Sequence, residues 1–370
     1  MKRIAFIIHR LSGNGAENVT IRLANELSKN GYKITVFVRE STEKVLNNLS
    51  DDIDVIDLNN DSKNKIIKNM ISIFKIRKVF KSNFDIVFAV TFSMGLLAAF
   101  TNKLMKNKNK LVVIMHNTIS QERITLFNLK KKLFTHTLND IKKIVFVSKG
   151  AEEDFVNVFN VNRSKLVTIY NPVINNEVIE KSLEICNHPW LQKSRKYKTI
   201  VTIGRLTEQK NHELLINAFS KLKYKNTKLI ILGEGKLRKN LENQINDLGL
   251  NETVDLHGFV NNPYSYLSAA DLFVLSSNYE GLPTVLIEAL SCGCEIVSTN
   301  CPTGPEEILE NGKYGKLVPV NDEQSLIKAI DDSLRDSHKL NRNKLIKRGN
   351  EFNVENSVEK YTLLINEIME

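Results

Sequence analysis

Two glutamates eight residues apart, Glu280 and Glu288, bracket the run Gly281-Leu282-Pro283-Thr284. Apolar Leu272–Leu275 precede them and read as a strand. Val285, Leu286, Ala289 and Leu290 follow at helical spacing. Glu280 is therefore expected in a loop and Glu288 about one turn into a helix. A helix that starts near Thr284 aims its unpaired N–H groups and positive dipole end at whatever the loop holds. A diphosphate seated there would have a carboxylate on each side for sugar hydroxyls. Taken singly, each glutamate reads better as an ordinary surface or helix-face residue.

A second constellation is Gly204-Arg205-Leu206-Thr207-Glu208-Gln209-Lys210-Asn211, after a buried strand and before a helix. Gly204 gives room. Arg205 can hold a phosphate in bidentate fashion and Lys210 adds a point charge. Together they could neutralise a diphosphate leaving group as a bond to a sugar breaks. Gly233-Glu234-Gly235 and His257-Gly258-Phe259-Val260 end the next two strands. Each alone is explained by a turn; together they put small residues where a flat base could lie. Near the start, Ser12-Gly13-Asn14-Gly15 sits between a strand and a helix, where main chain can approach a phosphate. A dinucleotide fingerprint wants a third glycine at position 18, which is Asn18, so a dehydrogenase is disfavoured. A plain tight turn remains the alternative.

Positioning these residues takes strands that alternate with helices. Strands are expected at 3–8, 34–38, 54–57, 86–89, 111–115 and 144–147, then at 199–203, 228–232, 253–256, 272–275, 295–298 and 316–318. Helical periodicity fills 16–29, 64–81 and 122–138. The pattern gives an α/β protein with parallel sheets, ligands at strand carboxyl ends and a cleft between two domains. The polar stretch 171–198, with Asn171-Pro172 and His188-Pro189, marks the boundary. This divides the chain into 1–175, 176–350 and a C-terminal helix at 351–370 that packs back on the first domain. A length of 370 residues suits two domains.

These motifs resemble the retaining glycosyltransferases of family 4. The Glu280…Glu288 pair matches that family's E-x7-E motif. Gly204-Arg205-Leu206…Lys210-Asn211, Glu280-Gly281-Leu282-Pro283 and Cys301-Pro302-Thr303-Gly304-Pro305-Glu306-Glu307-Ile308 match as well. The last is similar to enzymes that build bacterial surface polysaccharides, O-antigen and lipopolysaccharide included. The likeness is strong over 199–320. Over 1–170 it rests on the Gly13/Gly15 loop, Met115-His116-Asn117 and Val147-Ser148-Lys149.

The resemblance implies the GT-B fold, two Rossmann-like domains facing across a cleft. It implies donor diphosphate binding by Arg205 and Lys210, with Gly204 and Gly233 lining the site, and ribose binding by Glu288. Glu280, with main chain of Gly281, Leu282, Pro283 and Thr284, would hold donor sugar and phosphates. Phe259 and Val260 would lie along a uracil edge, and His116 would reach the sugar near the reacting carbon. Catalysis would then rest on Glu280, His116, Arg205 and Lys210. Gly13, Asn14 and Gly15 would meet phosphates and acceptor, although many members have adjacent glycines where Asn14 intervenes here. The implied reaction moves a hexose or N-acetylhexosamine from a UDP-sugar to a hydroxyl of a lipid-linked or lipopolysaccharide-type acceptor, with retained configuration. A sugar-nucleotide epimerase or phosphorylase, and a non-catalytic sugar-nucleotide binder, are the competing readings.

No cofactor and no metal are expected. Asp52-Ile53-Asp54 has the Asp-x-Asp spacing of metal-dependent transferases but lies far in sequence from the donor motifs. Cys292, Cys294 and Cys301 lack paired C-x-x-C spacing, so buried thiols are expected, as for Cys186. Charge is uneven: residues 1–190 carry 29 Lys and Arg against 18 Asp and Glu, and 191–370 carry 23 against 24. A basic amphipathic stretch at 63–81, and Leu126-Phe127 with Lys130-Lys131-Lys132, suit an anionic membrane surface. A core-facing helix with a solvated basic face is the alternative at 63–81. No nucleic-acid module is recognisable. The chain is expected to be cytoplasmic, peripheral at the inner face of the membrane, because no apolar run or leader pattern marks a span or a signal.

Overall fold

The apolar runs assemble into two wholly parallel sheets, each in its own unit of the chain. Met1–Pro172 with Val354–Glu370 form the first unit and Val173–Asn353 the second. The computed structural model describes residues 1–11, 15–41, 48–58, 65–105, 110–121, 126–335 and 340–370; Ser12, Gly13 and Asn14 lie outside the described residues.

In the first unit the strands are β1 (Arg3–Leu11), β2 (Lys33–Ser41), β3 (Asp54–Asp57), β4 (Ile86–Val90), β5 (Lys110–Met115), β6 (Lys143–Phe146) and β7 (Leu166–Thr168). Their order is β3-β2-β1-β4-β5-β6-β7. Side chains alternate across the sheet. Ile4, Phe6 and Ile8 face helices Gly15–Lys29 and Val354–Met369, while Ala5 and Ile7 face Val79, Phe80, Ala98 and Phe134. Phe6 stacks on Phe88 at 5.0 Å, and Phe88 meets Tyr361 edge-on at 6.0 Å. Each such buried side chain stabilises the unit by about 1.5–3 kcal/mol.

Three features differ from the periodicity. β7, three half-buried residues at the sheet edge, carries too short an apolar signal to read. Of the helix expected over 122–138, residues 122–125 lie outside the described residues, and the described helix runs Phe127–Thr137 after left-handed Leu126. Along the basic helix Lys65–Lys81, Ile76, Val79 and Phe80 are core residues, so its apolar stripe serves packing over that stretch.

The second unit holds β8 (Lys198–Ile203), β9 (Thr227–Leu232), β10 (Val254–Gly258), β11 (Leu272–Leu275), β12 (Ile296–Thr299) and β13 (Lys316–Val318). The order is β10-β9-β8-β11-β12-β13, so the sheet reverses its winding between β8 and β11. The first sheet does so between β1 and β4. Such reversals splay the loops at the strand carboxyl ends and leave a crevice for a ligand. The second unit's ends adjoin: Val173 donates its N–H to the Phe352 carbonyl at 3.1 Å, and Ile174 bridges Asn353 in parallel. Among the described residues no helix is long and apolar enough to cross a membrane.

Candidate active site

Lys210 and Glu280 meet at the winding reversal of the second sheet. The loop after β8 carries the lysine and the loop after β11 the glutamate. Lys210 Nζ lies 2.6 Å from Glu280 Oε1, and both side chains are largely buried. The Ser277 hydroxyl donates to the same oxygen at 2.7 Å. Main chain fixes the glutamate further. Its N–H donates to the Pro302 carbonyl at 2.7 Å, and its carbonyl accepts from the Thr303 N–H at 3.0 Å. The Thr303 hydroxyl donates to the Gly281 carbonyl at 2.9 Å. A buried pair with these extra hydrogen bonds meets the condition under which burying two charges is tolerable.

The lysine loop is equally constrained. Ser276 Oγ donates to the Lys210 carbonyl at 2.9 Å, and Gln209 Nε2 to the Tyr279 carbonyl at 3.0 Å. Asn211, in the left-handed region at φ 48°, caps helix His212–Ser220 by accepting the Leu214 N–H. Its amide also donates to Asn278 Oδ1 at 3.1 Å. The Arg205 guanidinium is exposed and has no hydrogen-bond or ion-pair partner among the described residues. The site thus offers one presented cation and one held in reserve.

The glycines earn their places by close approach. A Cβ on Gly233, at φ 138°, would stand 2.1 Å from the Gly204 carbonyl oxygen. A Cβ on Gly204 would stand 3.1 Å from the Lys210 side chain. Gly204 donates its N–H to the Leu232 carbonyl, and Gly233 to that of Gly258, so loops after β8, β9 and β10 are knitted together. Beyond them Phe259 is 70% exposed at the end of β10, followed by half-buried Val260. Leu282 and Pro283 are buried. Pro283 precedes helix Thr284–Ser291 and supplies no side-chain cap, which leaves the helix's first N–H groups unpaired by one. Half-buried Glu288 lies one turn into that helix.

Two buried histidines stand at strand ends. His116 follows β5 in the first unit, and His212 opens its helix in the second. Both ring nitrogens of His116 are buried and have no hydrogen-bond partner among the described residues, while the His212 ring lies against the main chain of Gly204 and Arg205. Burial pushes the pKa of each down to about 4, with the Lys210 charge adding to the effect at His212, so both imidazoles are neutral. Gly15 opens helix Gly15–Lys29 after β1. The structure therefore gathers Gly204, Arg205, Lys210, Gly233, Phe259, Val260, Glu280 through Thr284 and Glu288 at strand carboxyl ends of the second unit. His116 and Gly15 hold the corresponding end of the first sheet.

Residue type and spacing did not single out Ser277, Thr303 or His212. Their contributions rest on contacts with main chain or side chains that strand and helix patterns do not reveal.

One cluster has metal-ligand residue types: His188, Asp255 and His257. Its hydrogen bonds speak against a metal. His188 Nδ1 accepts the Trp190 N–H at 3.1 Å, so Nε2 bears the proton and donates to Asp255 Oδ2 at 2.9 Å. His257 Nδ1 lies 2.9 Å from the same oxygen, and its Nε2 takes the Tyr266 hydroxyl at 3.1 Å. Both histidines thus bond one carboxylate oxygen, and these bonds hold the Asp255 carboxyl below its ordinary pKa. Cys186, Cys292, Cys294 and Cys301 are free buried thiols, each with its pKa raised by burial. Asp52 accepts a hydrogen bond from Ser28, and Asp54 opens edge strand β3.

Comparison with known proteins places this geometry. Residues 13–176 match the family described as Glycosyltransferase Family 4, and 187–352 the one described as Glycosyl transferases group 1. A Campylobacter jejuni protein is 31% identical over 352 residues, covering 92% of this chain and 93% of its own. It is named N-acetylgalactosamine-N,N'-diacetylbacillosaminyl-diphospho-undecaprenol 4-alpha-N-acetylgalactosaminyltransferase. The chain belongs to the family 4 glycosyltransferases. The amylovoran biosynthesis glycosyltransferase AmsD of Erwinia amylovora is 25% identical, each chain covered to 85%. The Anabaena protein HepE, solved with UDP and glucose, superposes on this glycosyltransferase with a TM-score of 0.82 at 18% identity, over 99% of this chain and 100% of its own. That likeness shows the fold, the GT-B class of two Rossmann-like domains. With a transferase family shown, the epimerase and the non-catalytic binder give way to a glycosyltransferase.

Proposed function

We propose that this glycosyltransferase moves a hexose or N-acetylhexosamine from a UDP-sugar to a hydroxyl of a lipid-linked or lipopolysaccharide-type glycan in bacterial surface polysaccharide synthesis, with the anomeric configuration retained and no metal required. The carrying observation is the Lys210–Glu280 pair at the β8/β11 reversal, beside exposed Arg205. The names of the Campylobacter and Erwinia relatives, and HepE's capture with UDP and glucose, support donor and acceptor class.

In this reading Arg205 and the N-terminus of helix Thr284–Ser291 take the diphosphate first. The diphosphate then competes with Glu280 for the Lys210 ammonium, and the released carboxylate accepts hydroxyls of the donor sugar. Glu288 binds the ribose, and Phe259 with Val260 flank the base. As the anomeric bond breaks, charge gathers on the diphosphate; Lys210 and Arg205 stabilise it there. The departing phosphate oxygen takes the acceptor's proton on the same face of the sugar. Neutral His116 serves as a hydrogen-bonding group to the sugar, and the Gly13–Asn14–Gly15 loop approaches phosphates and acceptor.

The test is a panel of radiolabelled UDP-sugars with an undecaprenyl-diphosphate-linked acceptor, run with and without EDTA. Transfer of one sugar with an α-linkage from an α-linked donor, unaffected by EDTA, is expected. An inverted product, or loss of turnover with EDTA that Mg2+ restores, would overturn the respective part. A covalent sugar trapped on Glu280 would replace the same-face route.

A further inference from the structure

Helices Lys65–Lys81, Phe92–Leu104 and Phe127–Thr137 pack side by side on one face of the first sheet. None of the three contains an aspartate or glutamate, and each contains lysine. A solvated helix face ordinarily mixes both signs, so an acid-free layer presents a one-signed field to its surroundings.

The last of these helices adds something a solvated face does not want. Phe134 and Thr137 point into the core, where Phe134 packs on Phe92, Phe155 and Phe159. The outward side carries Leu126, Leu129 and Leu133, at 68, 54 and 37% exposure. Leu129 and Leu133 lie one turn apart on one side of the helix, and Leu126 stands just before its first residue. Lys130, Lys131 and Lys132 interrupt and flank these leucines. Leu126 also sits in the left-handed region at φ 57°, where glycine or asparagine is usual, and a leucine costs about 1 kcal/mol. At the helix's far end Lys103 donates to the His136 carbonyl at 2.6 Å, and its neighbour Leu104 is 62% exposed. Two described acids stand at the borders of this surface: Asp140, 4.0 Å from Lys103, and Asp154, which accepts the Ser120 N–H at 3.1 Å.

The geometry points to this surface as a docking face for a bilayer that contains anionic lipids. Leucines enter the acyl boundary while lysines, whose long stems let the ammonium reach outward, meet the headgroups. A nucleic acid would use the lysines but leave the leucines in water. A protein groove would use the leucines but has no reason to demand an acid-free surround. The inference does not depend on donor chemistry, and of the two basic stretches expected to suit a membrane, 63–81 and 126–132, it takes up the second.

The test is co-sedimentation of the full chain with vesicles of phosphatidylcholine alone or mixed with phosphatidylglycerol, in 0.1 M salt. Binding is expected to the mixed vesicles only. Replacing Lys130, Lys131 and Lys132 with glutamine should weaken it about a hundredfold, at roughly fivefold per lysine. Replacing Leu126, Leu129 and Leu133 with glutamine should weaken it by at least about tenfold. Both variants should keep the parent's thermal midpoint and its rate of UDP-sugar hydrolysis, which report the fold and the donor site separately from docking. No vesicle binding by the parent, equal binding of both variants, or binding to single-stranded RNA in its place would overturn the proposal.

Discussion

Glu280 and His116 both stand at the carboxyl end of a central strand, yet their surroundings are opposites. Glu280 is held by the Lys210 ammonium, the Ser277 hydroxyl and main chain of residues 302 and 303. His116 is as deeply buried, and neither ring nitrogen has a hydrogen-bond partner among the described residues. The first is a preassembled cluster, and in the proposed reaction its ion pair is exchanged when the diphosphate arrives. The second is a buried polar group left unpaired, which costs about 1–3 kcal/mol and is tolerated where something later supplies the missing bond.

The comparison can be broken most forcefully at Lys210. Lys210→Ala removes the charge at the leaving group and leaves Glu280 buried without its partner. Turnover should fall by about 10²–10³-fold. Initial rates with the preferred UDP-sugar test this, and near-normal turnover would make the pair purely structural. Glu280→Gln separates the two partners' tasks. It should lower turnover about a hundredfold, while the freed ammonium raises affinity for UDP by about five- to tenfold. Calorimetry reads the affinity; weaker UDP binding would show that the pair is not exchanged. Glu288→Ala should weaken UDP binding about tenfold, the value of a charge-assisted hydrogen bond, with little change in Tm. An unchanged Kd would end its ribose role.

The smallest effect concerns the histidines. Both have folded-state pKa values near 4 against an ordinary 6.5. The unfolded chain takes up protons that the folded chain refuses, so stability falls as pH falls from 6.5 toward 4. Between pH 7 and 5 each histidine should account for about 2 kcal/mol. Replacing His116 or His212 with glutamine should flatten that acid limb in urea titrations. An acid limb identical in parent and variants would locate the sensitivity elsewhere.

Much of this architecture is legible in the residues themselves. Strands such as Ile86–Val90 and Leu272–Leu275 are buried on both faces and announce themselves as apolar runs. β7 does not, because an edge strand of three half-buried residues needs little apolar content. At the site, Lys210 and Glu280 are legible only through the motifs that hold them, Gly204-Arg205-Leu206…Lys210-Asn211 and Glu280…Glu288, since either charge alone reads as an ordinary surface residue. Thr303 is not legible, since its bonds to residues 280 and 281 depend on how two loops cross. Ser277 is hidden for another reason: a serine three residues before a glutamate is unremarkable until both are buried. Composition leaves the basic helix Lys65–Lys81 open to two readings; the structure spends Ile76, Val79 and Phe80 on the sheet and leaves Phe74 exposed. The leucines at 126–133 become conspicuous only once Phe134 shows which side of their helix faces inward.

The adjoining ends of the second unit, joined by the Ile174–Asn353 bridge, carry an evolutionary consequence. A segment whose entry and exit share one doorway is topologically a cassette. Residues 173–353 could be cut out as a free-standing piece, or exchanged with those of a relative, without rethreading the host. Sugar choice could thereby be inherited separately from acceptor choice, and a chimera joined at those two seams would show whether new linkages arise by trading whole cassettes.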